Sequence, residues 1–272
     1  MIEIRNLAGL SFETLTAAFN DAFSDYDIPA NYPVEYLRGL VTRRGFRPDL
    51  AAGAFDGERL VGFVFNCLDG DDAYNSGTGV VISHRRQGIA RQLMQRSIET
   101  LPAKRYWLEV IETNHRAHAL YRELGFEEPR RLQSWKYENV GRASARPDGL
   151  KPFLRELANV HLRDYEPYFD MRPSWQNTIR SIERAAEPHV AIGDERAIVV
   201  LFPSNGDIAL LAVHPNARRQ GLGRALLDLA ARRAAKSLRI MNIEDDAEGI
   251  NTFLDRIGAT RLVRQIEMVR AL

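Results

Sequence analysis

Cysteine is almost absent from this chain. Cys67 is the only one in 272 residues, which excludes an internal disulfide framework and fits a protein of the reducing cytoplasm. An excess of one charge is missing as well: 37 Lys and Arg face 36 Asp and Glu, so neither nucleic acid nor an anionic membrane surface is expected as a partner. Long hydrophobic runs are lacking. Those near 197–202 and 208–213 are strand-sized, too short to cross a bilayer. The first residues, Met1–Leu7, alternate polar and apolar and do not read as a signal peptide. No Gly-Lys-Ser/Thr occurs, which disfavours Mg-nucleotide hydrolysis, and no strand runs into Gly-x-Gly-x-x-Gly, which disfavours a dinucleotide fold. His115 and His118 have no other metal-ligand types grouped with them, so no metal is expected.

What the chain does contain is a copy of itself. Arg85-Arg86-Gln87-Gly88-Ile89-Ala90-Arg91 returns as Arg218-Arg219-Gln220-Gly221-Leu222-Gly223-Arg224, an offset of 133 residues, and Leu124-Gly125 returns as Ile257-Gly258 at the same offset. Similarity over this distance means two copies of one domain rather than a solenoid, whose repeats run about 20–50 residues. An apolar content of 45% is sufficient for two ordinary cores. The expected domains are residues 1–140 and 150–272, joined by the polar, Gly- and Pro-marked stretch Gly141–Gly149.

Periodicity and turn residues give the elements. In the first half, strands are expected at 2–7, 50–55, 60–67, 73–82, 106–111 and 132–140, with the Asp56-Gly57 turn joining the second and third. Helices are expected at 12–23, behind Ser11, and at 33–44, 87–101 and 114–125, the last closed by Gly125. The second half opens differently, with helices near 152–162 and 174–186. It then repeats the pattern: strands at 189–192, 197–202 and 208–213, a helix from Gln220, a strand at 238–243, a helix near 250–257 and closing strands to Leu272. Early strands followed by alternating helices and strands imply an α/β (α+β) protein, each domain a mixed, mostly antiparallel sheet flanked by helices.

Both copies of Arg-Arg-Gln-Gly lie between a strand and a helix. Free backbone N–H groups and the dipole at a helix N-terminus favour an anion, and the glycine lets the backbone come close to it. Arg86 and Arg219 add positive charge. A phosphate or pyrophosphate is the natural ligand.

At these residues the chain resembles the GNAT acetyltransferase superfamily, whose Arg/Gln-x-x-Gly-x-Gly/Ala signature is met by Arg85…Gly88…Ala90 and Arg218…Gly221…Gly223. The first half also carries a second family motif, Asn114-His-Arg-Ala117-His-Ala-Leu120-Tyr121-Arg-Glu-Leu-Gly125-Phe126. The resemblance implies an N-acetyltransferase acting on a primary amine of a small molecule or peptide, with acetyl-CoA as co-substrate and no metal. By the same resemblance Arg86, Gln87, Gly88, Ile89, Ala90 and Arg91 hold the pyrophosphate, and the pantetheine arm lies between splayed strands around Thr78, Gly79, Val80 and Tyr106–Val110. A backbone N–H near Val80 polarises the thioester, Asn114 holds CoA, Tyr121 is the general acid, and Glu109 takes the base position of similar ribosomal-protein N-terminal acetyltransferases. Glu112, His84 and Tyr74 are alternatives to Glu109. Tyr121 also shares a helix face with Ala117, Leu120 and Leu124, as a core residue would. The acceptor is expected near Phe23–Tyr32.

The second copy keeps the loop, Arg219, Gln220, Gly221, Leu222, Gly223 and Arg224, as a further CoA-binding set. The offset places Asn242, Ala247 and Leu254 where the first copy has Glu109, Asn114 and Tyr121. The expectation is a catalytic first domain and a second that binds CoA without turning it over. Catalysis in the second domain and a non-catalytic acyl-CoA sensor are the alternatives.

Overall fold

The structure, a computed structural model, describes residues 1–26, 30–138 and 154–272. The expected linker, residues 141–149, lies outside them, as does part of the expected acceptor segment. The chain divides into two compact units. One comprises Met1–Pro129, Glu183–Ala186 and Ile266–Leu272, the other Arg130–Ile182 and Glu187–Gln265.

The first unit begins with strand β1 (Ile2–Asn6) and helices α1 (Phe12–Ala22) and α2 (Val34–Arg44). Ser11 caps α1 by accepting from the Thr14 N–H at 3.2 Å, with Glu13 in the first turn, and Gly45 in the left-handed region ends α2. Strands β2 (Ala52–Asp56) and β3 (Arg59–Asp69) form the expected hairpin, with Asp56 paired to Arg59 across Gly57. Then follow β4 (Asp72–Val80), α3 (Ile89–Thr100), β5 (Arg105–Ile111), α4 (His115–Glu123) and β6 (Glu127–Tyr137), of which Arg130–Tyr137 belongs to the second unit. The order β1-β2-β3-β4-β5 is antiparallel except for the parallel β4–β5 pair.

Side-chain alternation sends successive residues to opposite faces. Phe55, Phe63 and Phe65 pack with Leu15, Leu37 and Val41 of α1 and α2. Val61, Val64 and Leu108 pack with Leu93 and Met94 of α3 and Tyr121 of α4. Ile266 and Met268, from the C-terminal end of the chain, complete this second core.

The second unit continues with β7 (Arg155–Glu156), α5 (Ile179–Arg184), β8 (Val190–Asp194), β9 (Ala197–Phe202), β10 (Asp207–Val213), α6 (Leu222–Ala231), β11 (Leu238–Glu244), α7 (Glu248–Arg256) and β12 (Thr260–Ala271), the end of α5 from Glu183 and of β12 from Ile266 belonging to the first unit. Its order is β6-β11-β10-β9-β8-β7, with β10 and β11 parallel. The helix expected near 152–162 is not formed in its described part. Arg155–Glu156 is a strand, Asn159 is left-handed, and a short 3₁₀ turn, Leu162–Tyr168, contains Pro167, whose missing N–H prevents an α-helix from propagating. The helix expected over 174–186 is broken. Thr178 is extended, and its hydroxyl accepts from the Ser181 N–H, so it acts as a cap and α5 starts after it.

Candidate functional site

In the first unit β4 and β5 pair only from Asp72–Arg105 to Asn75–Leu108, then part company, although β4 runs on to Val80 and β5 to Ile111. The separation starts at a bulge where Ser76 and Gly77 oppose the single residue Phe65. Gly77 donates its N–H to Asn75 Oδ1 at 2.9 Å, which fixes the bend. Gly79 lies directly under α1, where a Cβ would come within 2.5 Å of the Phe63 ring. Val81 donates its N–H to Val61 on β3, so by strand alternation the N–H of Val80 faces the open side.

Two polar groups flank this opening. On the α3–α4 side, Asn75 donates to Thr78 Oγ1 at 2.7 Å, and the buried Tyr121 side chain lies beside this pair. Burial raises the Tyr121 pKa above the usual phenol value, while hydrogen bonding to Thr78 opposes part of that rise. On the α1–α2 side, Tyr74 donates its hydroxyl to Glu109 Oε2 at 2.7 Å. Burial, and then the Glu109 charge, push Tyr74 well above 10. A phenol so disposed orients Glu109 and does not serve as a base, which removes Tyr74 from the alternatives.

The Arg-Arg-Gln-Gly loops have one geometry in both units. Arg86 (φ 64°) and Gly88 (φ 75°) are left-handed, and so are Arg219 (φ 61°) and Gly221 (φ 84°). A left-handed arginine costs about 1–2 kcal/mol, and the same cost is borne at both places. Gly88 and Gly221 start α3 and α6 without any side-chain cap, whereas Ser11 and Asn114 cap α1 and α4. The first N–H groups of α3 and α6 are therefore directed at solvent and free to take an anion. Arg86 and Arg219 are exposed and make no ion pair among the described residues.

The first arginine of each loop acts as a brace. Arg85 grips Asp25 with two bonds, at 2.6 and 2.8 Å, and also donates to the carbonyls of Ala22 and Val80. Arg218 grips Asp170 and donates to the carbonyls of Tyr168 and Val213. Sequence reasoning offers Asp25 only as an acceptor-side residue that could meet a cation, and misses its pairing with Arg85 and the role of Asp170, because the repeat offset does not relate the two.

Two family models match the chain in succession. The acetyltransferase (GNAT) family covers residues 12–126, and an acetyltransferase (GNAT) domain covers residues 186–258. The chain belongs to the GNAT acetyltransferases. It is a tandem GNAT N-acetyltransferase, and its chemistry is acyl transfer from an acyl-CoA to an amine. No curated protein matches it in sequence. Among solved structures, a tandem GNAT protein from the clavulanic acid biosynthesis pathway is 15% identical with a TM-score of 0.71, over 100% of this chain and 98% of that one. A GCN5-related N-acetyltransferase from Sphaerobacter thermophilus is 14% identical with a TM-score of 0.71, over 99% of this chain and 95% of that one. A protein of Pyrococcus horikoshii provisionally described as an acetyltransferase is 15% identical with a TM-score of 0.74, over 100% of this chain and 89% of that one. At such identities the likeness speaks to the fold.

Within this GNAT the residues singled out from sequence fall into several groups. Thr78 and Tyr121 meet at the opening between β4 and β5, while Gly79 and Val80 form its edge. Glu109 lies on the opposite face. Arg86, Gln87 and Gly88 are exposed in the loop; Ile89 is buried beneath it, and Ala90 is half-buried. Arg91 pairs with Glu123 of α4. Asn114 caps α4 by accepting from Ala117 N–H and donates to the Tyr26 hydroxyl at 3.3 Å. The geometry therefore gives Asn114 a structural task.

The second GNAT unit has a cavity of about 690 Å³, lined by the Arg218–Arg224 loop, β10, β11, α7 and the segment Tyr168–Pro173. In the loop Gly223 faces the Phe253 ring, where a Cβ would stand 3.2 Å away; the first unit has the pair Ala90 and Leu120 at these positions. Arg224 pairs with Asp228 one turn on. Leu254 is fully buried. Asn242 is buried and left-handed (φ 59°) at an irregularity of β11, hydrogen-bonded to Ser134. Ala247 starts α7 with no side-chain cap.

Proposed function

We propose that the first unit transfers the acetyl group of acetyl-CoA to a primary amine, with Tyr121 as general acid and Glu109 as general base. The observation that carries this reading is the buried Tyr121 side chain, set beside Thr78 and Asn75 where β4 leaves β5. A core tyrosine with no chemical task has no need of a place beside the opening between β4 and β5.

The loop residues Arg86–Arg91 hold the pyrophosphate through the uncapped N–H groups of α3, with Arg86 supplying charge. Bound acetyl-CoA supplies an activated thioester. Glu109, oriented by Tyr74, takes the proton as the acceptor nitrogen attacks the thioester carbon. Deprotonating a lysine-like amine at pH 7 costs roughly 4–5 kcal/mol and an α-amine about 1 kcal/mol, so a base matters most for the former. The Val80 N–H faces the developing negative oxygen. Tyr121 gives its proton to the sulfur as the carbon–sulfur bond breaks. The α1–α2 face beside Glu109, where Tyr32 stacks on Phe19 and meets Tyr36 edge to face, is where a small-molecule or peptide amine would approach.

The test is Tyr121→Phe, which removes only the hydroxyl. We expect kcat for thiol release to fall by about 10²–10⁴, with acetyl-CoA affinity and melting temperature little changed. Wild-type turnover would make Tyr121 a core residue. A second reading, catalysis in the second unit, is favoured by the cavity there; it predicts that Tyr121→Phe has no effect and that blocking the Gly221 loop abolishes turnover.

A further inference from the structure

In the first unit the strands separate at Asn75 and Leu108, and the side chains there and beyond are an amide and two hydroxyls: Asn75, Thr78 and Tyr121. In the second unit the parallel pairing ends at Ile208 and Ile240. At the 133-residue offset Ile208 stands for Asn75, Leu211 for Thr78 and Leu254 for Tyr121. Every polar member of the first network is aliphatic in the second. Ile208 and Leu211 line the cavity, together with Leu210, Ile243, Ile250 and Phe253, while Leu254 is buried in the core. The polar side chains on the other wall are committed. Tyr168 donates its hydroxyl to the Glu195 carbonyl at 2.8 Å, Asn177 its amide to the Met241 carbonyl at 2.9 Å, and Asp170 is held by Arg218. Glu248, Thr252 and Arg256 line the cavity from exposed positions on α7.

We propose that this cavity binds an acyl-CoA bearing an apolar chain of several carbons, in preference to acetyl-CoA, and does not turn it over. The inference rests on reading the Arg218–Arg224 loop as a pyrophosphate cradle and adds the nature of the acyl group. An acetyl group fills little of an apolar cavity, whereas each further methylene removed from water tightens binding. Full burial of one methylene corresponds to about a fourfold change in affinity. With Leu254 and Asn242 in place of Tyr121 and Glu109, neither the acid nor the base of the first unit has a counterpart.

The experiment uses the full chain with its first loop blocked by Gly88→Glu, or by Arg86→Glu where the former folds poorly. Calorimetry is run with CoA, acetyl-CoA, butyryl-CoA, hexanoyl-CoA and free hexanoate. The expected result is a dissociation constant falling about fourfold per added methylene, weak binding of hexanoate alone, no thiol release, and loss of the series on adding Gly221→Glu. Equal affinities for acetyl- and hexanoyl-CoA would overturn the apolar-chain inference and leave the cradle standing. Failure of CoA and every acyl-CoA to bind would overturn the cradle itself. Release of free CoA from the hexanoyl thioester would overturn the claim of no turnover.

Discussion

Tyr121 and Leu254 occupy one position in the two copies of the repeat, and the leucine has neither the ring nor the hydroxyl. Burial raises the Tyr121 pKa, so the protonated form needed for donation persists above the usual phenol range. Activity depending on that form should not decline until the pH passes about 10. A kcat–pH profile with a basic limb centred well below 10 would contradict the assignment. The same shift bears on stability. The folded-state value is raised, so Tyr121's contribution is complete below about 10 and fades as the pH rises through the folded value. Glu109→Gln keeps the bond from Tyr74 but cannot accept a proton. It should lower kcat/KM by about 10²–10⁴ for a lysine-like acceptor and flatten the acid limb of the profile, and an unaltered limb would assign the base elsewhere. Tyr121 was legible in the sequence because its motif has fixed spacing. Its partners Asn75 and Thr78 were not read as a network, because the bulge that brings them together depends on strand pairing, which adjacent letters do not encode.

Among the elements, the loop at the start of α3 and α6 was the easiest to read and the most faithfully repeated. Glycine at a strand-to-helix junction signals an uncapped helix start, and the left-handed glycines at Gly88 and Gly221 agree. The brace beneath it was hidden. Arg85 belongs to the motif, but its partner Asp25 lies on the far side of three strands and a helix in sequence. The Arg85 guanidinium holds the Asp25 carboxylate below its ordinary pKa. That depressed value means the brace is intact above the normal carboxylate range and is lost only as the pH falls through the folded value. CoA affinity should therefore show no pH dependence from this pair between pH 7 and 5. Asp25→Asn should weaken CoA binding about two- to fivefold, the range of a partly exposed ion pair; calorimetry showing no change would mean that the loop holds its shape unaided. The helix expected near 152–162 misled for a local reason, since apolar spacing runs through Asn159, whose left-handed backbone does not continue a helix.

At the scale of the whole molecule, the repeat offset revealed two GNAT units but not how the chain is shared between them. Ile266–Leu272 belongs to the first unit, with Ile266 and Met268 in its core. A repeat reports that two segments are alike; it does not report which sheet each strand joins. Deleting residues 266–272 removes those two buried side chains, each worth roughly 1.5–3 kcal/mol of burial. It should lower the melting transition of the first unit and its activity together, and unchanged melting would contradict the assignment. The account's central claim is that transfer chemistry belongs to the first unit while the second binds and holds. The direct measurement is free-thiol release from acetyl-CoA, with a panel of primary amines and peptide N-termini, for the wild-type chain, Gly88→Glu and Gly221→Glu. The account predicts that Gly88→Glu loses turnover and Gly221→Glu keeps most of it; loss with Gly221→Glu and retention with Gly88→Glu would contradict it.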